Sequence, residues 1–138
     1  MTGETRGLLD TNILILRRLI DSAQLPAVLL ISAVSLAELS AGPHRTDDPE
    51  ERARRLDALQ RAESEFDPLP FDTEAARAYG KVYAAVSAAG RNPRGRVADL
   101  LIASVAVANR LSLYTTNPRD FKGLEKLLTV VAVDHPGR

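Results

Sequence analysis

The chain contains no cysteine, no tryptophan and only two histidines, and aromatic residues of all kinds make up 4% of it. Without cysteine, disulfides and thiolate metal sites are excluded. The histidines, His44 and His135, lie in proline-containing stretches, one in an internal loop and one near the C-terminus, and make poor ligands. Any metal must therefore be held by oxygen, which favours magnesium, with manganese as its substitute. Long apolar runs are also missing. No secretory signal or membrane span is visible, and Arg17 and Arg18 interrupt the first apolar stretch, so a cytoplasmic location is expected. Nor is there an excess of either charge, since 18 Lys and Arg balance 18 Asp and Glu. That balance argues against a protein that coats nucleic acid nonspecifically. Arginine nevertheless heavily outnumbers lysine and is clustered, so a local basic patch can lie against an acidic site.

At 138 residues with 45% hydrophobic content, the chain has the size and composition of one ordinary globular domain. No repeat, low-complexity segment or linker divides it. Gly7-Leu8-Leu9 reads as a strand ending at Asp10-Thr11-Asn12, residues suited to cap a helix over Ile13 to Ser22. Ala27 to Ile31 reads as a buried strand, and Ser32 caps a helix over Ala33 to Ala41 that Gly42-Pro43 closes. A polar, turn-rich stretch runs from His44 to Pro49. Glu50 to Glu65 forms a charged surface helix, and Asp67 to Phe71 a proline-limited edge strand or loop. A long alanine-rich helix starts at Asp72 or Thr73 and reaches Ala89, where Gly90 stops it. Beyond a basic loop come a helix over Val97 to Arg110, a strand over Ser112 to Thr115, a loop from Asn117 to Gly123 and a last strand over Leu128 to Val133. Strands alternating with helices predict a three-layer α/β/α sandwich around a mostly parallel sheet. In such sheets ligands bind at the carboxyl ends of the strands.

Three acids stand out against this frame. Asp10 directly follows the first strand and so lies at that rim, although a helix N-cap is its plain reading. Glu38 is the sole charge of its helix and shares a face with Val34, Ser35, Ala41 and Gly42, so it marks either an exposed edge or a cavity. Asp99 is the most informative, because Val97 to Ala108 is otherwise apolar on every side. A carboxylate in a buried helix is costly, and the helix dipole accounts for it only in part. If the sandwich forms, the three acids and Thr115-Thr116-Asn117 reach one rim. Converging carboxylates repel, and a divalent cation is the usual reason for tolerating them. Such a site suits attack of water on a phosphodiester.

Four segments then resemble the motifs of the PIN domain, in order. They are Leu8-Leu9-Asp10-Thr11-Asn12, Ser35-Leu36-Ala37-Glu38-Leu39, Val97-Ala98-Asp99-Leu100-Leu101-Ile102-Ala103 and Thr115-Thr116-Asn117-Pro118-Arg119-Asp120-Phe121. The short length is similar to VapC toxins of bacterial VapBC toxin–antitoxin pairs, and residues 1–138 are expected to form one such nuclease domain. The resemblance implies a magnesium-dependent endoribonuclease that cleaves structured cellular RNA. It also implies a homodimer and a VapB-type antitoxin that blocks the active site. By motif match, Asp10 and Asp99 would bind metal directly, and Glu38 would bind metal or its water. Thr11, Asn12 and Thr115 would position these groups or water. The fourth motif departs from the family, which often has an acid where this chain has Asn117. That residue would orient water without adding charge, and Asp120 could supply the missing carboxylate, unless it pairs with Arg119 or caps the turn before Gly123.

Beside Asp99, Arg91, Arg94 and Arg96 lie in a Pro/Gly loop and are expected to contact RNA phosphates, whereas the Glu50–Glu65 helix is expected to be merely solvated. With so few aromatics, base stacking should be a minor part of recognition. Ala76, Tyr79, Val82, Tyr83 and Val86 offer more apolar surface than one sheet face needs, so part of this helix, or of the first two helices, is expected to serve a homodimer or grip the antitoxin. A receiver or a haloacid-type phosphatase fits poorly: Asp10 has no acidic neighbour, and position 12 is asparagine. A PIN fold that grips RNA or protein without cutting is the alternative.

Overall fold

A computed structural model describes residues 5–137; the first four residues and the last, which complete the expected domain, lie outside them. Four short strands form one sheet in the order β2-β1-β3-β4. They are β1 (Arg6–Leu9), β2 (Val28–Leu30), β3 (Ser112–Thr115) and β4 (Val130–Ala132), and every pairing between them is parallel. The central pair is β1 with β3, which joins Leu8 to Leu113 and Leu9 to Tyr114. At β1 a glycine is required: a Cβ at Gly7 would collide with the Tyr114 ring.

Alternation along β1 builds the layers. Leu8 packs into a core with Val82, Val86, Ile102, Val105 and Phe121, which α4 (Thr73–Ala88), α5 (Val97–Ala108) and the turn after β3 supply. Leu9 turns to the opposite face, where Ile13, Leu39, Ala58 and Ala62 come from α1 (Thr11–Leu16), α2 (Ala33–Ala41) and α3 (Pro49–Glu65). The α/β/α sandwich is therefore present, and its sheet is parallel throughout the described residues.

Several boundaries differ from those expected. The first helix stops at Leu16, and Arg17–Leu19 and Ser22–Gln24 tighten into 3-10 turns. Gly42 keeps right-handed helical angles and leads into another 3-10 turn, Gly42–Arg45, instead of ending the helix in a left-handed cap. The basic loop and the loop after β3 contain the 3-10 turns Pro93–Arg96 and Pro118–Phe121. Segments of this length carry too few residues for an apolar period to reveal them. Helix α5 ends at Ala108, two residues early, and Arg110 takes the left-handed conformation (φ 55°) usually left to glycine. The 67–71 segment contributes one bridge, Leu69 to Ser32, beyond the end of β2.

The inward face of α4 is Ala75, Ala78, Val82 and Val86. Two of the five residues read as surplus apolar surface, Val82 and Val86, are therefore core. Tyr79 is half-buried, and only Ala76 and Tyr83 are exposed.

Candidate active site

Asp10 is the first residue past β1. Its backbone N–H donates to the carbonyl of Tyr114 at 2.9 Å, which prolongs the β1–β3 ladder to the rim. It also caps α1: Oδ1 accepts from the Thr11 N–H at 2.9 Å, and Oδ2 accepts from the Thr115 hydroxyl at 2.8 Å. Thr115 Oγ1 accepts in turn from the Asn117 N–H at 3.0 Å, so the fourth motif fixes the first. Asp10 is only 3% exposed. Burial lifts its carboxyl above the usual range, the Thr115 and Thr11 bonds oppose this, and Glu38 and Asp120 add to it.

Glu38 reaches the same place from α2. Its Oε1 accepts from the Thr11 hydroxyl at 2.6 Å, and that hydroxyl also pairs with Ser35 Oγ at 2.9 Å. Glu38 is half-buried and lines a cleft together with Asp10 and Asp99. Asp99, in the first turn of α5, is half-buried, and its pKa is pushed up to about 7. Burial is the main cause, followed by the charges of Asp10, Asp120 and Glu38, while Arg96 opposes them. Four acids separated by up to 110 positions thus share one field.

Asp120 pairs with neither Arg119 nor a backbone cap. Its Oδ1 accepts from Arg96 at 3.1 Å, which ties the turn after β3 to the turn before α5. Asn12 lines the cleft beside Asp10. Asn117 opens the Pro118–Phe121 turn without a side-chain cap bond. Thr116, placed at the rim by the sequence but given no role there, has a buried hydroxyl with no hydrogen-bond partner among the described residues. Its place between Thr115 and Asn117 was the available signal.

Two clefts meet at Asp99. One, of about 660 Å³, is lined by residues 90–92, Gly95, Arg96, Asp99 and Asp120. The other, of about 870 Å³, takes in Asp10, Asn12, Glu38 and Asp99 together with Arg18, Arg45 and one face of α3. Helix α3, expected to be plain solvated surface, therefore borders the acids. Its spacing carried the signal, because Glu51, Arg54, Arg55, Ala58 and Arg61 repeat at helical intervals. The three loop arginines divide instead. Arg91 donates to the carbonyls of Arg119 and Lys122, Arg96 holds Asp120, and Arg94 is exposed with no side-chain partner among the described residues.

Carboxylate and hydroxyl oxygens are the donors gathered here, a set suited to a hard divalent cation. Among the described residues no Lys or Arg pairs with Asp10, Glu38 or Asp99. No three His, Cys, Asp or Glu side chains among them are arranged as a ready cage for one ion. The residues fit such an ion by the chemistry of their donors and by their mutual repulsion.

A parallel sheet with Asp10 at the end of β1, and Glu38 and Asp99 brought to the same rim from α2 and α5, has the arrangement that the PIN-domain resemblance implies. The chain belongs to the PIN-domain family, whose pattern matches residues 8–127. It is homologous to the VapC ribonucleases of VapBC toxin–antitoxin systems. Ribonuclease VapC5 of Mycobacterium tuberculosis is 33% identical over 132 residues, covering 94% of this chain and 95% of that protein. Ribonuclease VapC of Rickettsia bellii is 34% identical over 110 residues, 75% of this chain and 78% of that one. Among solved structures, VapBC-5 from Mycobacterium tuberculosis superposes with a TM-score of 0.80 at 30% identity, over 95% of this chain and 99% of that chain. No helix among the described residues is long and apolar enough to cross a membrane.

Proposed function

We propose that this chain is a magnesium-dependent endoribonuclease acting as the toxin of a type II toxin–antitoxin pair, hydrolysing RNA phosphodiester bonds and so inhibiting translation. One observation carries the reading: at the sheet rim of a VapC-homologous chain, burial and the neighbouring acids, Glu38 and Asp120 among them, push the carboxyls of Asp10 and Asp99 up, and no Lys or Arg pairs with Asp10, Glu38 or Asp99 among the described residues. Asp10 and Asp99 would hold magnesium, or manganese in its stead, and Glu38 would bind the ion or its water. Bound there, the ion lowers the pKa of water and neutralises charge on the phosphodiester.

The chain's own groups do the positioning. Thr115 and the Thr11 N–H fix both oxygens of Asp10, and the Thr11 hydroxyl fixes Glu38. The neutral amides of Asn12 and Asn117 hold water or a phosphate oxygen without adding charge. Asp120 deepens the negative field while Arg96 keeps it in place. On this side of Asp99, Arg94 is the arginine free to meet a phosphate, with Arg91 and Arg96 holding the frame around it. The partners on this reading are RNA, a VapB-type antitoxin and a second copy of the chain in a homodimer, all in the cytoplasm.

Incubation with cellular RNA in magnesium and in chelator tests the proposal, with Asp99→Asn alongside. Cleavage should require the metal and fall at least about a hundredfold in the variant. A variant that cuts at the wild-type rate would remove Asp99 from the site. Wild-type protein that binds RNA and never cuts it would leave the non-catalytic alternative standing.

A further inference from the structure

Three acids of the larger cleft belong to the site already described; the rest of its charged lining does not. That remainder consists of five arginines, Arg18, Arg45, Arg54, Arg55 and Arg61, against two acids, Glu51 and Asp57. The arginines differ in what they already hold. Arg55 donates to the carbonyl of Gly42 at 2.9 Å and to Glu51 at 3.3 Å, so it braces α3 against the end of α2. Arg61 is matched by Asp57 at 2.9 Å. Arg54 shares Glu51 with Arg55, so one carboxylate faces two guanidinium groups, and the Arg54 side chain is 62% exposed. Arg18 and Arg45 are exposed and have no side-chain partner among the described residues.

We propose that Arg18, Arg45 and Arg54 form the seat of the RNA sugar–phosphate backbone, leading the strand across the cleft to Asp10 and Asp99. The inference rests on the ribonuclease reading and names the surface that reading leaves unassigned. Charge complementarity selects the ligand: the surplus of guanidinium groups is open, planar and forked, as phosphate oxygens require. A one-turn pair such as Glu51–Arg54 on an exposed helix face exchanges readily for a phosphate. The opposite turn is poorer in free cations, since Arg91 and Arg96 are bonded to protein. Arg55 and Arg61 shape the wall without gripping RNA.

Binding of a labelled single-stranded RNA oligonucleotide, measured in chelator so that none is cut, tests this across a range of salt. The triple variant Arg18→Gln, Arg45→Gln, Arg54→Gln should bind roughly tenfold to a hundredfold more weakly and lose about two units of the log–log salt slope. The corresponding lysine substitutions should keep the slope, because a cation at each place preserves counterion release. Arg94→Gln alone should lower the slope by at most about one unit. A triple variant with wild-type affinity and slope overturns the assignment, and so does a loss on Arg94→Gln that equals the triple loss. Wild-type protein that binds with the expected slope yet never cleaves in magnesium sinks the ribonuclease reading and leaves this surface intact.

Discussion

The two arginine-bearing borders of the acid site have similar composition and opposite bonding. On the 91–96 side, guanidinium groups reach across the fold to fixed partners: the carbonyls of Arg119 and Lys122 for Arg91, and Asp120 for Arg96. On the α3 side, Arg54 and Arg61 meet acids within one turn of their own helix, Arg55 does so while also holding the Gly42 carbonyl, and Arg18 and Arg45 have no side-chain partner among the described residues. Clustering in the sequence marks the first group more strongly. Availability favours the second, because a long-range bond holds a loop in place whereas a one-turn pair on an exposed helix gives way to a ligand.

Asp99, where the two clefts meet, gives the largest effect by which the comparison can be sharpened. Its carboxyl titrates near 7 in the folded chain and near 3.8 when unfolded. The folded state therefore holds more protons than the unfolded state between these values, and stability must fall as pH rises through that window. Denaturant unfolding in chelator should show a protein more stable at pH 5 than at pH 8, with Asp10 shifted in the same direction. Asp99→Asn should flatten most of this dependence, and magnesium should restore stability at the alkaline end. A metal-free protein more stable at pH 8 would contradict the crowding of acids.

Next in size is Arg91→Ala. Removing its bonds to two carbonyls should cost roughly 1 kcal/mol of unfolding free energy, read from thermal or urea melts. The salt slope of RNA binding should not move, since this guanidinium serves the frame. A lost slope unit with no lost stability would erase the distinction between the two borders. Smallest is Arg61→Gln. It breaks a pair within α3 worth about 0.3–0.5 kcal/mol and should leave RNA affinity within twofold of wild type in the same binding assay.

Much of the site was legible because its acids break strong local patterns. Asp99 interrupts a helix that is apolar all round, Glu38 is the one charge of α2, and Asp10 falls where a strand becomes a helix. The alternation of strands and helices likewise fixed the layers. What stayed hidden depends on distance in sequence. The Arg96–Asp120 pair spans 24 positions, and Arg91 bonds backbone carbonyls, which have no residue type to betray them. The short turns at 17–19, 42–45 and 118–121 were missed because one turn of 3-10 helix has no period to detect. From its sequence alone, α3 reads as a strongly charged, solvated surface helix. Only the fold shows that Ala58 and Ala62 turn inward and leave Arg54, Arg55 and Arg61 along the cleft.

The Thr115 hydroxyl that holds Asp10 lies 105 residues further along the chain, and the strand carrying it is the neighbour of β1 in the sheet. Synthesis runs from the N-terminus, so Asp10 and Glu38 leave the ribosome well before their partners exist. The α1–α3 layer can begin to gather early, but β1 has no β3 beside it until residues 112–115 are made. The acids converge only when that strand slots in and the following turn brings Asp120 to Arg96. On the proposed ribonuclease reading, a nascent chain therefore lacks the Thr115 and Asp120 contacts of its acid site until residues 112–120 have been made.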